Sequence, residues 1–503
     1  MKSIRESSWL LLCFTILFSS ALTAGVEAQS VPSAQSHRQH GSEDATANRT
    51  IPALFVSDIH FDPFHDPTKL PQLVASPATE WNTILAAPPS SDQPQAFDSL
   101  QQQCHARGVD TPYALLRSSL QAMKARQPDA KFMTVSGDLI AHAFECRFKT
   151  LLPASTQSDY EAFVLKTLSF IVQQLRASFP AMPVYVALGN NDSGCGDYKL
   201  NANSDFLKQA GKIVAAGLPS PGQQDAIQQF AAGGYYGVAM AAPMNATRLI
   251  VLNDIFLSAK YTTCGGLPDA NAGDAQIAWL KAQLAEARQL HQRVWVLGHI
   301  PPGVNVYSTM AKMKNICEKA KPEMFLSSDA LADELTDNAD VIRLAIFAHT
   351  HMDELRLLHP QNEEAAASSE HDVALKMVPS ISPVDGNNPA FTVARVNPST
   401  AVLQDYEVIS ASNQTGIDAT WSLEYDFAKT YHEAEFSPAS VKELIGEFKN
   451  DRESSQDTSA AYLRDYFVGD RSILLKPFWP QYVCGLANST AKSFAACVCS
   501  TGK

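Results

Sequence analysis

The segment "PVYVALGNNDSGCG", residues 183–196, joins a short apolar run to a cluster of polar side chains. Residues 184–188 are rich in β-branched and aromatic side chains and too few to favour a helix, which predicts a buried strand. Asn190, Asn191 and Asp192 follow directly. Such side chains are costly to bury without partners, so they either form the turn that ends the strand or bind a ligand. The rest of the chain decides between these two interpretations.

The same arrangement, an apolar run followed by residues that can bind metal, recurs at four other places. The segments are "ALFVSDIH" (53–60), "KFMTVSGDLIAH" (131–142), "RVWVLGHIPPG" (293–303) and "VIRLAIFAHTH" (341–351). In open α/β sheets, sites form beyond the carboxyl ends of the strands, so we expect these side chains to meet. The candidate metal ligands are Asp58, His60, Asp138, Asn190, His299, His349 and His351.

The number and type of these donors indicate a pair of transition-metal ions. Seven donors that share one carboxylate suit two cations about 3.5–4 Å apart. Imidazole together with carboxylate suits zinc, iron or manganese better than calcium, which prefers oxygen ligands. The sequence therefore predicts two divalent metal ions.

The organisation of the chain indicates an α/β fold with a C-terminal appendage. Apolar runs alternate with helical patterns up to about residue 408, and the later part is helical, aromatic and contains cysteines. Residues 65–105 are rich in proline, serine and glutamine with weak periodicity, which predicts a functional or disordered loop. We divide the chain into a signal peptide (1–28), a disordered leader (29–50), a catalytic domain (51–410) and a helical, cysteine-containing C-terminal region (411–503).

The N-terminus predicts export. Lys2 and Arg5 precede an apolar run that is too short to span a membrane, and small residues lead to a cleavage site after Ala28. We therefore expect a secreted, periplasmic or luminal protein without a transmembrane segment. Cleavage removes Cys13 and leaves eight of nine cysteines, an even number that fits disulfides. We expect Cys484 to pair with Cys497 or Cys499, because the latter two are too close in sequence to pair with each other.

The net charge of −13 argues against a nucleic-acid-binding surface, which requires a basic face. An acidic protein that handles phosphates needs cations at its site. Metal ions held by the candidate ligands would supply that positive charge.

Taken in order, the motifs Asp-x-His, Gly-Asp, Gly-Asn, Gly-His and Ala-His-x-His resemble those of the calcineurin-like metallophosphoesterases. Five longer segments resemble the acid sphingomyelinase-like phosphodiesterases: "SDIHFDP" (57–63), "GDLIAH" (137–142), "GHIPPG" (298–303), "AHTHMDE" (348–354) and "NNPAFTV" (387–393). The resemblance implies a metallophosphoesterase β-sandwich flanked by helices. It also implies two metal ions, zinc in this branch, and hydrolysis of phosphodiester or phosphoanhydride bonds by a metal-activated water.

The resemblance further implies a division of the candidate ligands between the two ions. Asp138 would bridge them. Asp58, His60 and His351 would bind the first ion, and Asn190, His299 and His349 would bind the second.

Two further positions are candidate catalytic residues. The family commonly has histidine where this chain has Asn191, and the Gly-Asn-Asn-Asp form resembles that of secreted endopolyphosphatases. Asparagine can donate a hydrogen bond to a phosphate but cannot titrate. His142 matches a second family histidine, one helical turn beyond Asp138, and is a candidate proton donor; its alternative is a structural histidine.

The substrate class stays open between a nucleotide, a phospholipid head group and polyphosphate. Only the leader at 29–50 precedes the first strand, so we expect no saposin-type lipid-extracting domain, and we favour a small soluble substrate over sphingomyelin. Trp81 and Tyr425 could stack on a base, with core packing as the alternative. A different class of function, a metal-binding protein with weak or no catalysis, has Asn191 as its only support.

Overall fold

The structure, a computed structural model, describes residues 50–360, 369–469, 473 and 475–501. The predicted signal peptide lies outside the described residues, and so does the predicted leader up to residue 49.

The first of two six-stranded sheets contains the N-terminal strand at its centre. Its order is β12-β11-β10-β1-β2-β3, in which β1, β2 and β3 are parallel and the other pairs are antiparallel. The strands are β1 (Ile51–Val56), β2 (Met133–Ser136), β3 (Val184–Ala187), β10 (Ala390–Val396), β11 (Leu403–Ala411) and β12 (Trp421–Asp426). Every residue of the parallel strands β1, β2 and β3 is buried, in agreement with their apolar sequences.

The second sheet has the order β4-β5-β6-β7-β9-β8, with four parallel strands between antiparallel edge strands. Its strands are β4 (Tyr236–Ala239), β5 (Thr247–Val251), β6 (Arg293–Leu297), β7 (Ile342–Phe347), β8 (Glu354–Leu358) and β9 (Val373–Met377). The ends of β6 and β7 lead directly into the segments that contain the candidate histidines.

Aromatic side chains join the two sheets into a sandwich. The ring centroid of Trp295, on β6, lies 5.9 Å from that of Phe55 on β1 and 5.6 Å from that of Phe132. The indole nitrogen of Trp295 donates a hydrogen bond to the carbonyl of Ala401 at 2.7 Å, so this buried polar group is satisfied. The predicted fold class, α/β with two sheets flanked by helices, is confirmed.

The helices cover the outer faces of the sandwich and form the C-terminal region. They are α1 (Leu70–Ala75), α2 (Trp81–Ala86), α3 (Gln93–Gln103), α4 (Tyr113–Arg126), α5 (Phe144–Leu151), α6 (Gln157–Ser178), α7 (Asp205–Ala215), α8 (Ser220–Gly233), α9 (Asn271–Gln289), α10 (Val306–Ala311), α11 (Ala330–Thr336), α12 (Phe427–Tyr431), α13 (Pro438–Asn450), α14 (Asp457–Asp465), α15 (Trp479–Ala487) and α16 (Ala491–Thr501). Within the described parts of the chain, no helix combines the length and the apolarity that crossing a bilayer requires.

The segment 65–105 is not the irregular loop that its sequence predicts, because it contains α1, α2 and α3. Trp81 is fully buried, its ring centroid lies 5.5 Å from Phe163 and 5.4 Å from Phe170, and its nitrogen donates to the carbonyl of Leu73. α1 and α2 have only six residues each and show too few repeats for their periodicity to be recognised, and α3 has only two buried apolar residues, Phe97 and Leu100. Trp81 therefore belongs to the core and does not contact a substrate.

The helical C-terminal region is confirmed, but the first sheet continues into it. β12 pairs with β11 beyond residue 410, and the helices begin at Phe427. Tyr425, on β12, is 6% exposed and donates a hydrogen bond to Asp353 at 2.5 Å. Tyr425, like Trp81, therefore packs in the core. The domain boundaries themselves stay predictions.

All eight cysteines of the described residues form disulfides. The bridges join Cys104 to Cys146, Cys195 to Cys264, Cys317 to Cys499, and Cys484 to Cys497. The last bridge is one of the two predicted for Cys484, and Cys499 instead connects the final helix to a segment 182 residues earlier. Disulfides of this number are typical of exported proteins.

We expect thiol titration of the unfolded, unreduced protein to detect no free thiol among these eight cysteines. Peptide mapping without reduction should recover the Cys317 peptide attached to the Cys499 peptide, because the bridge spans chain segments that no single peptide contains. Recovery of most of the eight cysteines as free thiols would contradict the pairing.

Candidate metal centre

The loops that follow the strands are tied to one another by their backbones and by one carboxylate. The amide of Asp58 donates to the carbonyl of Gly137 at 3.1 Å, and that of His60 to the carbonyl of Asp138 at 2.9 Å. The carboxylate of Asp192 accepts hydrogen bonds from three amides, those of Leu139, Ile140 and Gly189. Asp192 thus joins the loops after β2 and β3, which is the turn-forming role that the sequence suggested for it.

Most of the candidate ligands have an uncommon backbone conformation. A positive φ is rare in residues other than glycine and costs on the order of 1–3 kcal/mol each, so it persists only where the surroundings enforce it. Five of the seven candidates have it: Asp58 (43°), His60 (42°), Asp138 (51°), His349 (73°) and His351 (66°). Their concentration in one place is typical of a functional site.

The side chains form two groups of donor atoms that share one oxygen. In the first group, His60 Nε2 lies 3.1 Å from His351 Nε2, 3.7 Å from Asp58 Oδ1 and 3.4 Å from Asp138 Oδ2. Asp58 Oδ1 also lies 3.5 Å from His351 Nε2. The four donor atoms therefore surround one point.

The second group is centred on His299. Its Nε2 lies 3.3 Å from Asp138 Oδ2, 3.1 Å from Asn190 Oδ1 and 3.2 Å from His349 Nδ1. Asp138 Oδ2 belongs to both groups, so the structure brings together all seven candidates in the division that the resemblance implies.

The donor set fits metal ions. Ligands about 2.0–2.1 Å from a tetrahedral zinc ion lie about 3.3 Å from each other, which is the range of spacings observed. His60 and His299 have Nδ1 2.9 and 2.8 Å from the carbonyls of Ile140 and Ser136. Since a carbonyl only accepts, these Nδ1 atoms bear hydrogen, which leaves Nε2 of each ring as the nitrogen that would bind a metal ion. Asp58 Oδ1 is buried and has no hydrogen-bond partner among the described residues.

The electrostatics of the site also indicate a requirement for positive charge. Burial, the largest single cause, would lower the pKa values of His60 and His299, but the surrounding carboxylates, with Asp138 the strongest, together outweigh it and raise these pKa values to about 9 and about 10. Burial holds the pKa of His351 down at about 4, and burial with the neighbouring His299 lowers that of His349. The buried carboxylates therefore need compensation, which either protons or metal ions can provide.

Two residues that the sequence did not single out, Asp197 and Tyr198, hydrogen-bond to candidate ligands, and a third, Asp385, lies near His351. Asp197 Oδ1 accepts a hydrogen bond from Asn190 Nδ2 at 2.7 Å, which turns Asn190 Oδ1 towards His299. Tyr198 OH lies 3.2 Å from His349 Nε2, and Asp385 Oδ2 lies 3.4 Å from His351 Nδ1. Such outer contacts fix ring and amide orientations. Asp197 and Tyr198 follow the Gly-Asn-Asn-Asp motif closely, and their proximity in sequence was the only available signal.

His142 adjoins the first donor group, but not from a helix as predicted. Residues 138–142 are not helical, since Ile140 pairs with Phe61 and α5 begins only at Phe144. The ring of His142 stacks on that of His60 with centroids 4.0 Å apart, and its side chain is 16% exposed.

Asp110, which the sequence reading also missed, holds His142 in place. Its Oδ1 lies 3.0 Å from His142 Nδ1, and its Oδ2 accepts from the amide of His142 at 2.8 Å. Burial would raise the pKa of Asp110, but its interactions with His142, His60 and Arg147 together outweigh it and lower the pKa. Asp110 is therefore an anion that fixes the ring and leaves Nε2 of His142 free of this contact.

Asn191 contacts the shared carboxylate. Its Nδ2 donates to Asp138 Oδ2 and its amide to Asp138 Oδ1, both at 2.8 Å, and the residue is 5% exposed. Asn191 therefore orients Asp138, a contact that the sequence did not predict.

A cavity of about 460 Å³ opens onto the donor groups, a size usual for small-molecule sites. Asp138, His142, Asn190, His349 and His351 form its metal-centre side, and Arg107 and Lys260 add positive charge. Six phenylalanine and tyrosine residues line it as well: Tyr198, Tyr307, Phe325, Tyr466, Phe467 and Tyr482. Three of these come from the C-terminal region.

The chain is similar to known phosphoesterases and phosphodiesterases. Residues 51–353 match the family described as calcineurin-like phosphoesterase. The chain is 24% identical to acid sphingomyelinase-like phosphodiesterase 3b of Homo sapiens, over 90% of this chain and 92% of the relative. It is 26% identical to sphingomyelinase phosphodiesterase C of Dictyostelium discoideum (66% and 70% covered). It is also 26% identical to cyclic GMP-AMP phosphodiesterase SMPDL3A of Rattus norvegicus (67% and 70% covered).

Replacement of the shared carboxylate should lower metal content. We expect elemental analysis to find two transition-metal ions per wild-type chain and at most one in Asp138→Asn, because the amide has no charge with which to bridge two cations. The matched control is Asp205→Asn, whose side chain is 83% exposed and contacts Lys208. Equal metal content in the two variants would refute the role of Asp138.

Proposed function

This chain belongs to the calcineurin-like phosphoesterase family of metal-dependent phosphoric ester hydrolases, and we propose that it is a secreted dinuclear-metal phosphodiesterase that cleaves small soluble phosphodiesters or phosphoanhydrides such as nucleotides. The observation that carries the proposal is the position of Asp138 Oδ2, which lies 3.4 and 3.3 Å from the facing nitrogens of His60 and His299. One carboxylate oxygen between two histidine-containing donor groups is the arrangement that a metal pair requires.

The ions would be zinc, as the family resemblance implies, while the donor chemistry suits zinc, iron or manganese. Asp58, His60 and His351 would hold one, Asn190, His299 and His349 the other, and Asp138 both. When bound, such a pair lowers the pKa of water and offsets the charge of a phosphoryl group.

The chain's own residues would bind the phosphate and move a proton. Arg107 and Lys260 line the cavity, where their charges favour phosphate oxygens in an otherwise acidic protein. His142, held at Nδ1 by Asp110, would donate a proton from Nε2 to the leaving oxygen. Asn191 would keep Asp138 in its bridging orientation through two hydrogen bonds.

The size of the cavity and its polar groups support a small substrate. A cavity of about 460 Å³ accommodates a ligand of nucleotide size. A bilayer, by contrast, must approach the whole face of a protein whose net charge is −13. The names of the relatives include both a cyclic GMP-AMP phosphodiesterase and sphingomyelinase phosphodiesterases, so the choice requires a direct comparison.

That comparison measures kcat/KM for a nucleoside triphosphate, for sphingomyelin in detergent-free vesicles and for polyphosphate, at acidic and neutral pH, on protein of known metal content. We expect the nucleotide to be cleaved best. Preference for the vesicles would identify a sphingomyelinase, and preference for polyphosphate an endopolyphosphatase. Full metal content without hydrolysis of any ester would identify a binding protein.

His142→Ala should lower kcat by about 10²–10⁴-fold while metal content stays at the wild-type value, because a proton donor contributes this much and His142 is not among the seven candidate ligands. The loss should shrink for nitrophenyl esters, whose leaving groups need no proton. His371→Ala, at an exposed position, is the control. An unchanged rate on nucleotides would assign His142 a structural role.

A further inference from the structure

The cavity contains a second polar group, distinct from the metal centre. Glu354, at the start of β8, is 2% exposed and lines the cavity. Its Oε2 accepts hydrogen bonds from Arg356 Nη2 at 3.0 Å and from Tyr482 OH at 2.9 Å. Its Oε1 is buried and has no hydrogen-bond partner among the described residues. An unpaired buried carboxylate oxygen is costly, so this oxygen is an acceptor that a ligand could satisfy.

The position of Phe325 relates this acceptor to the metal centre. The ring centroid of Phe325 lies 5.8 Å from that of His349 on one side and 5.2 Å from the guanidinium carbon of Arg356 on the other. Arg356 is in turn bonded to Glu354. A ligand with its phosphate at the metal centre can therefore extend past Phe325 to Glu354.

The charged and aromatic side chains at the Glu354 end of the cavity favour a neutral, planar ring as the ligand. Arg356 and Glu354 form a buried ion pair with no net charge, so a cationic group gains little here. A choline group, moreover, has no N–H to donate to Oε1. Tyr466 and Tyr482 also line the cavity, and aromatic side chains of this kind pack favourably against a planar ligand.

We propose that Glu354 Oε1 accepts a hydrogen bond from the exocyclic amino group of a nucleobase, so that the enzyme selects amino-bearing bases, cytosine and adenine, over uracil and hypoxanthine. This inference rests on the proposed function, in which the substrate is nucleotide-like. A keto oxygen in place of the amino group would face the carboxylate as a second acceptor, and a site built to receive a donor discriminates strongly against such a ligand.

The test compares ligands that differ only in this group. We expect wild-type kcat/KM for CTP to exceed that for UTP, and that for ATP to exceed that for ITP, by about tenfold or more, the usual effect of a hydrogen bond to a charged group. Calorimetric dissociation constants for CMP and UMP should show the same ratio without turnover. Equal values within both pairs would overturn the inference, whether or not any variant folds.

Glu354→Gln should reduce these ratios to about one, because an amide can present either an acceptor or a donor to the base. Glu443→Gln, at an exposed position on α13, should retain them. Phosphocholine binding tighter than CMP binding would instead assign this end of the cavity to a lipid head group and overturn the inference.

Bis(p-nitrophenyl) phosphate, a diester without a base, separates the two proposals. Its hydrolysis together with equal use of CTP and UTP would overturn only the role of Glu354. Failure to hydrolyse any ester would overturn the proposed function, and the binding comparison of CMP with UMP would then decide the role of Glu354 alone.

Discussion

The carboxylate of Asp138 is the group on which the arrangement of the site depends. One of its oxygens faces both histidine-centred donor groups, and both of its oxygens accept hydrogen bonds from Asn191. The residue has a φ of 51°, and a Cβ at Gly189 would overlap its carboxylate. Any side chain at that glycine would displace Asp138 from the point between the two groups. The loops after β2 and β3 are therefore shaped to hold one oxygen atom in one place.

Residues whose role follows from their neighbours in sequence could be predicted. Residues whose role depends on contacts made only in the folded chain could not. The seven candidate ligands follow apolar runs directly, so each could be identified from a few neighbouring residues, and the parallel strands bring their loops to one edge. Asp110 and Glu354 could not be found in this way, because their importance comes from His142 and from the cavity, which only the folded chain brings to them. Asn191 was recognised by its position in a motif, but its contact with Asp138 depends on the geometry between two loops. The helices of segment 65–105 could not be predicted, because two of them have only six residues and the third buries only two apolar side chains.

The C-terminal region is attached to the metal centre through buried polar contacts. Asp353 lies two residues after His351, and its amide donates to the carbonyl of Tyr466 at 3.0 Å. Its carboxylate forms an ion pair with the buried Lys376 and accepts a hydrogen bond from Tyr425. Removing one member of a buried ion pair leaves an uncompensated charge and costs about 3–5 kcal/mol. These contacts couple the position of the last candidate ligand to the docking of the helices that line the cavity.

The disulfides of α16 imply an order in which the enzyme is completed. Ribosomes synthesise the chain from its N-terminus, so all seven candidate ligands, the last of them His351, exist before Tyr466 and Tyr482 are made. The bridges from Cys497 and Cys499 close only when the final helix has been made. The loops with the candidate ligands can therefore be made while Tyr466 and Tyr482 are still missing from the cavity. The aromatic wall of the cavity is then completed last, after the candidate ligands and Glu354 are already present.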